Sequence, residues 1–167
     1  MWKTVLLLAF WTLLLAVVVP SGVVRLGLGQ YPSEIGVGEI AGVVLILMGA
    51  FLAFWVARVF VSVGQGTPLL FDPPRKLVRT GPFRYMRNPM YFGVLSVLAG
   101  EALLLRSWGL ALLTFGAFVC FNAFLFWFEE PQLRRRFGEE YLSYAREVPR
   151  WLPHPRAFFR GPASPRG

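Results

Sequence analysis

Residues 107–128 read SWGLALLTFGAFVCFNAFLFWF, 22 consecutive positions without a charged side chain. As an α-helix such a run is long enough to cross a hydrocarbon core of about 30 Å. Two further charge-free runs belong to the same length class: Thr4–Val24, with 21 residues, and Ile40–Ala57, with 18. A fourth apolar run lies between Arg87 and Arg106, broken by Glu101, and is expected as a helix over Pro89–Leu105. Lipid offers no partner to a backbone amide, so spanning segments of this length pair their amides internally as helices. The expectation is an all-α, polytopic integral membrane protein with about four transmembrane helices.

Composition agrees. Of the 167 residues 56% are hydrophobic and 16% charged, whereas a water-facing surface wants roughly 25–35% charged residues. A soluble globule is excluded as the leading reading. Cys120 is the single cysteine and His154 the single histidine, which excludes an internal disulfide, a multi-cysteine zinc site and a His-rich metal centre. No metal is expected. Cys120 itself reads as a packed core residue of the last span. The first run follows Met1-Trp2-Lys3 as a signal peptide would, but it is long for a signal core and lacks an A-x-A-like cleavage site, so it is expected to be retained.

Basic residues set the sidedness. Lys3, six Lys/Arg from Arg58 to Arg87 and eight Arg from Arg134 to Arg166 fall on one side of a four-helix arrangement, leaving only Arg25 and Arg106 on the other. The positive-inside rule then places both termini and the 58–88 loop in the cytoplasm. Topology and anionic headgroups account for the net charge of +8; no nucleic-acid motif accompanies it, and no nucleic-acid partner is expected. Beyond Glu129, Phe137, Tyr141 and Tyr144 share one helical face while Arg134, Arg135, Glu139, Ser143 and Arg146 lie around the rest. Leu133–Arg146 is therefore expected as an amphipathic helix in the headgroup plane.

Three polar constellations stand out. Arg84-Tyr85-Met86-Arg87-Asn88-Pro89-Met90-Tyr91 crowds two arginines, an asparagine and two tyrosines at the start of the third span; these are either interfacial anchors or fixed donors of a site. Glu129 and Glu130 lie where the last span meets the interface. They either complement the positive N-terminus of the amphipathic helix or meet a cation, supplied by Arg84, Arg87 or a ligand. Glu101 is expected to be structural, paired with Arg106 across a turn.

In order and spacing, Arg75-Lys76-Leu77-Val78, Gly81, Arg87-Asn88-Pro89-Met90-Tyr91-Phe92-Gly93, Glu129-Glu130 and Phe137-Gly138-Glu139-Glu140-Tyr141 with Tyr144 and Val148-Pro149 resemble the isoprenylcysteine carboxyl methyltransferases and the related phospholipid N-methyltransferases. The resemblance covers roughly residues 64–153. It implies a methyltransferase that uses S-adenosylmethionine on a lipophilic small-molecule or lipid acceptor. With the hydropathy pattern, the expected organisation is an N-terminal transmembrane hairpin (1–60), a catalytic region (61–155) and a disordered tail (156–167). The family's cofactor contacts carry over to Arg75, Lys76, Leu77, Val78 and Phe83, to Arg87, Asn88, Pro89, Met90 and Tyr91, and to Glu129 and Glu130. Arg84, Arg87, Asn88 and Tyr91 would act at the reacting centre. Asn88-Pro89-Met90-Tyr91 and Glu129-Glu130-Pro131 are closer to the phospholipid enzymes, and Phe137–Pro149 to the carboxyl ones. The carboxyl enzymes carry an arginine on the helix before the glutamates; Phe121–Phe128 has none. The acceptor is left open among amine, thiol and carboxylate.

The chemistry suits these residue types. Methyl transfer from a sulfonium is an in-line displacement that needs alignment more than acid–base help. Carboxylates hold an ammonium or ribose hydroxyls, and aromatic faces such as Phe83, Tyr91 or Trp127 favour a sulfonium. Two alternatives compete: an NADPH-dependent membrane reductase of the sterol type, which has a similar C-terminal Tyr and Val-Pro pattern, and a non-catalytic membrane scaffold.

Overall fold

The computed structural model describes residues 18–59, 62 and 77–152, and among them there is no strand. Five α-helices follow in order: α1 (Val19–Arg25), α2 (Val37–Val59), α3 (Pro89–Leu104), α4 (Trp108–Phe124) and α5 (Glu130–Glu147). A 3-10 turn, Gly81–Arg84, precedes α3, and a π-helical turn, Leu125–Glu129, joins α4 to α5 without interruption. Helix α2 and the continuous helical run Trp108–Glu147 are long and apolar enough to cross a membrane; α3 is apolar but has 16 residues. Of the expected four spans, the described residues contain two candidate spans and one shorter apolar helix. The expected first span, Thr4–Val24, lies outside the described residues up to position 17, and so do Arg75, Lys76 and the 156–167 tail.

Helices α2 and α3 pack through glycines. A Cβ on Gly42 would lie 2.7 Å from the Gly100 carbonyl oxygen, and one on Gly49 2.5 Å from that of Gly93. The pairs 42–100 and 49–93 run in opposite senses, so the helices are antiparallel with their backbones in contact along two turns. Lipid gives apolar side chains no drive to leave it, and close backbone approach at small residues supplies van der Waals contact instead.

Helix α4 turns back on α3 through Leu105–Ser107. Arg106 takes a left-handed φ of 46°, and Ser107 caps α4 by accepting from Leu110 N at 3.2 Å. The Ser107 hydroxyl also donates to Leu28 O at 2.6 Å, fixing the loop after α1 to this turn. The expected Glu101–Arg106 pair is not formed. Arg106 Nε instead donates to Glu39 Oε1 at 2.6 Å, tying the start of α2 to the α3–α4 turn. Glu101 is buried, and its Oε2 has no partner among the described residues. Cys120 is exposed on α4, not packed as expected, among the apolar side chains Phe115, Phe118 and Val119 that cover the outside of this helix.

The π turn has a local cause. Pro131 has no amide hydrogen, and in an uninterrupted α-helix its ring would press on the Trp127 carbonyl. Widening the helix over Leu125–Glu129 relieves that contact, and it also sets the direction of Glu129 at its end and of Glu130 just after it.

Candidate functional site

The end of the bundle opposite Arg106 brings together the 3-10 turn, the start of α3, the π turn and the second half of α5. Asn88 occupies the N-cap of α3 without capping it, and Pro89 follows at the first helical position, where no amide is needed. The Asn88 side chain is committed elsewhere: Nδ2 donates to Arg150 O at 3.2 Å, while the Arg87 amide donates to Pro149 O at 2.9 Å. The segment after α5 is thereby strapped along residues 87–88. Trp151 closes the strap, its Nε1 donating to Asn122 Oδ1 at 3.0 Å and its ring lying 5.4 Å from Phe118.

Within this frame the two glutamates part company. Glu130 is buried, and its Oε1 receives Arg87 Nη1 at 3.2 Å and Arg150 Nε at 2.9 Å. Arg87 Nη1 also donates to the Tyr141 hydroxyl at 3.4 Å, and Arg87 Nε is buried with no hydrogen-bond partner among the described residues. Glu129 meets no cation among the described residues. Its Oε2 accepts from the Tyr91 hydroxyl at 2.7 Å, and the Tyr91 ring leans on Phe121 at 4.9 Å. One carboxylate is therefore paired with two guanidiniums and the other with a tyrosine hydroxyl beside an aromatic pair.

Helix α5 reaches this cluster because Gly138 bends it, with φ 52° and ψ −128° inside the helical run. Beyond the bend Tyr141 and Tyr144 are buried, while Phe137, expected on the same face, precedes it and is half-buried under the Arg136 guanidinium at 5.8 Å. The Tyr144 hydroxyl donates to Phe83 O at 2.6 Å, and Arg79 stacks over its ring at 5.4 Å. Tyr144 lies on the polar helix beyond the apolar run, and burial pushes its phenol well above the ordinary range, so it stays a donor.

Of the expected site residues, Arg87, Asn88, Tyr91, Glu129 and Glu130 interlock through these bonds. Pro89 opens the helix between them, Val78 is buried, and Leu77, Arg84 and Met90 are half-buried nearby in the chain. Phe83 joins the cluster through its carbonyl oxygen. Arg75 and Lys76 lie outside the described residues. Of the two arginines considered as partners for the carboxylates, Arg87 makes the contact. Trp127 is 66% exposed and lies edge-on to Phe126 at 6.3 Å. Arg150, Asn122 and Trp151 were not anticipated. Arg150 and Trp151 follow directly on Val148-Pro149, but only the fold carries them back to α3 and α4.

A helical membrane protein with an acidic, tyrosine-lined cluster at one end of its bundle is thus defined. A family model for phospholipid methyltransferase matches residues 37–140, from the start of α2 into the second half of α5, and the chain belongs to that family. No curated protein and no solved structure matches it. The family makes the protein a membrane methyltransferase with a lipid-type substrate.

Proposed function

We propose that the protein transfers a methyl group from S-adenosylmethionine to an amine or thiol on a lipophilic acceptor, at the cytoplasmic face of a membrane. The observation that carries this reading is the unequal pair of carboxylates: Glu130 locked by Arg87 and Arg150, Glu129 bonded to a tyrosine hydroxyl and to no cation among the described residues. The donor set suits an amino-acid-bearing sulfonium. Glu129 fits its ammonium or ribose hydroxyls, the orphaned Nε of Arg87 fits its carboxylate, and the Tyr91–Phe121 pair fits its positive sulfur.

When bound, that cofactor supplies an electrophilic methyl group. The chain's own residues bind and orient. Leu77, Val78, Phe83 and the 87–91 segment, together with Arg75 and Lys76, form the binding wall in this reading. Asn88 and Pro89 hold the wall at the start of α3, and Met90 lines it. Arg84 and Arg87 steer anionic groups of cofactor or acceptor. The strap over residues 148–151 and the buried tyrosines of α5 exclude water. An amine or thiol acceptor releases a proton, which Glu129 or nearby water can take.

A carboxylate acceptor fits less well. Phe121–Phe128 carries no cation, and burying an unpaired carboxylate costs several kcal/mol. The arrangement of four spans with cytoplasmic termini completes the proposal, since it puts the acidic cluster and 15 of the 17 basic residues on one side.

The test is direct. Purified protein with labelled S-adenosylmethionine is offered phosphatidylethanolamine, a lipophilic thiol and a farnesylcysteine analogue in competition. Label should pass to the amine or the thiol. Preference for the farnesylcysteine analogue would overturn the acceptor assignment, and absence of transfer to any of the three would overturn the reading itself.

A further inference from the structure

The end of the bundle remote from the glutamates carries a feature that the proposed reaction leaves unused. An open groove of about 750 Å³ is bounded there by the start of α2, the last turns of α3 and the first turns of α4, a size within the roughly 300–1,000 Å³ of sites that enclose small ligands. Small side chains at helical spacing make its floor: Ala99 and Ala102 on α3, Ala111 and Thr114 on α4. The Thr114 hydroxyl is turned back onto Leu110 O at 2.7 Å, so the wall presents carbon.

Polarity is confined to the mouth, where most of it is already spent. Ser107 Oγ is engaged with Leu28 O, and Glu39 Oε2 with the Gly36 amide at 2.8 Å. Arg106 differs. Its bond to Glu39 uses Nε, its side chain is 62% exposed against 4% for Glu39, and its two Nη groups make no hydrogen bond among the described residues. Trp108, 84% exposed, stands beside it.

The occupant follows from this layout. Water in an apolar trough would find too few polar partners, whereas a hydrocarbon chain needs none. A guanidinium fork left free at the interface, next to an exposed indole, suits a phosphodiester. Glu39, which lines the groove, pairs with Arg106, so the mouth carries one carboxylate and one guanidinium and no net charge. A headgroup with net negative charge would leave a charge uncompensated there, while one that pairs its phosphate with an ammonium is matched.

We propose that this groove binds one zwitterionic phospholipid, its phosphate on Arg106, its ammonium toward Glu39 and an acyl chain along the alanine floor. The site is separate from the acidic cluster, from which the 16 residues of α3 hold it about 24 Å away. It does not rest on the methyltransferase reading.

Native mass spectrometry of the delipidated full chain, titrated with dipalmitoyl phosphatidylethanolamine, tests it. The wild type should bind one lipid tightly at this groove, in addition to any held as acceptor at the acidic cluster. Ala111→Leu, which fills the floor and leaves Arg106 and Glu39 in place, should weaken that binding at least tenfold, whereas Leu112→Ala on the exposed side should not. Arg106→Gln should lower affinity for the lipid while a monodisperse elution profile reports an intact fold. Equal retention by Ala111→Leu and the wild type would overturn the proposal. So would tighter binding of phosphatidylglycerol, saturation by soluble glycerophosphoethanolamine alone, or a dimer forming in place of the lipid adduct.

Discussion

Glu129 and Glu130 are neighbours in sequence and differ in every partner they have. Removing the charge of Glu130 leaves Arg87 and Arg150 facing each other without their shared anion. Glu130→Gln should therefore lower the thermal stability of the purified protein, by about 3 kcal/mol if the pair behaves as other buried ones do. Glu129→Gln keeps an acceptor for the Tyr91 hydroxyl and should leave stability nearly unchanged, but weaken S-adenosylmethionine binding by about 1.5–3 kcal/mol in calorimetry. Equal losses of binding in the two variants would contradict the division of roles. At this scale the sequence was informative about which residues matter and not about how they pair. Two adjacent carboxylates beside a basic loop were visible as a cluster in need of a cation. The second cation, Arg150, lies 20 residues beyond Glu130 after two turns in the path of the chain, and spacing does not encode that return. Glu101 failed for a related reason: a turn brings it near Arg106 in sequence, but the left-handed backbone of Arg106 aims the guanidinium at Glu39.

Two kinds of glycine shape the elements. Gly42, Gly49, Gly93 and Gly100 are needed for space, since a methyl group at Gly49 would overlap a backbone oxygen that has nowhere to move. Gly49→Ala should cost about 1–3 kcal/mol as overpacking, read as a lower unfolding temperature in detergent. Gly138 is needed for conformation alone. Nothing lies within 4 Å of a Cβ built there, yet its backbone falls in a region that L-residues avoid. Gly138→Ala should therefore straighten or fray α5 at a cost of about 1–3 kcal/mol, with protection from hydrogen exchange lost around Tyr141 and Tyr144 and kept in α4. The seven-residue spacing within each glycine pair is present in the sequence. Its meaning depends on which helix lies opposite, and that is a tertiary fact. The amphipathic helix was legible from its periodicity, but a single continuous helix was expected where the chain bends. An isolated glycine inside a helical pattern signals a bend only when something beyond it must be reached.

As a whole, the molecule is polar at its two ends and apolar between them. Helix α2 and the run from Trp108 are long and apolar enough to cross a bilayer, and among the described residues Arg79, Arg87 and Arg150 gather at the end with Glu129 and Glu130 while Arg106 pairs with Glu39 at the other. A Cys120→Ala background should be tolerated, because Cys120 sits on the exposed side of α4. On it, Ser33→Cys should react with an impermeant thiol reagent applied to intact cells and Ser143→Cys only after permeabilisation. The opposite pattern would reverse the proposed orientation. Hydropathy made this scale the most readable, since charge-free runs reflect the solvent directly. The strap formed by residues 148–151 has a consequence in time. Asn88 and the carbonyl it holds at Arg150 are 62 positions apart, so at about 5–20 residues per second the ribosome needs roughly 3–12 s to make the intervening chain. Through that interval the Asn88 side chain waits for its partner, whereas Glu130 and Tyr141, 43 and 54 positions after Arg87, are made sooner, so the cluster closes in stages. A ribosome that stops at Glu147 would release a chain with its helices made and its site unfinished, whereas one that reaches Trp151 has supplied every bond the cluster uses.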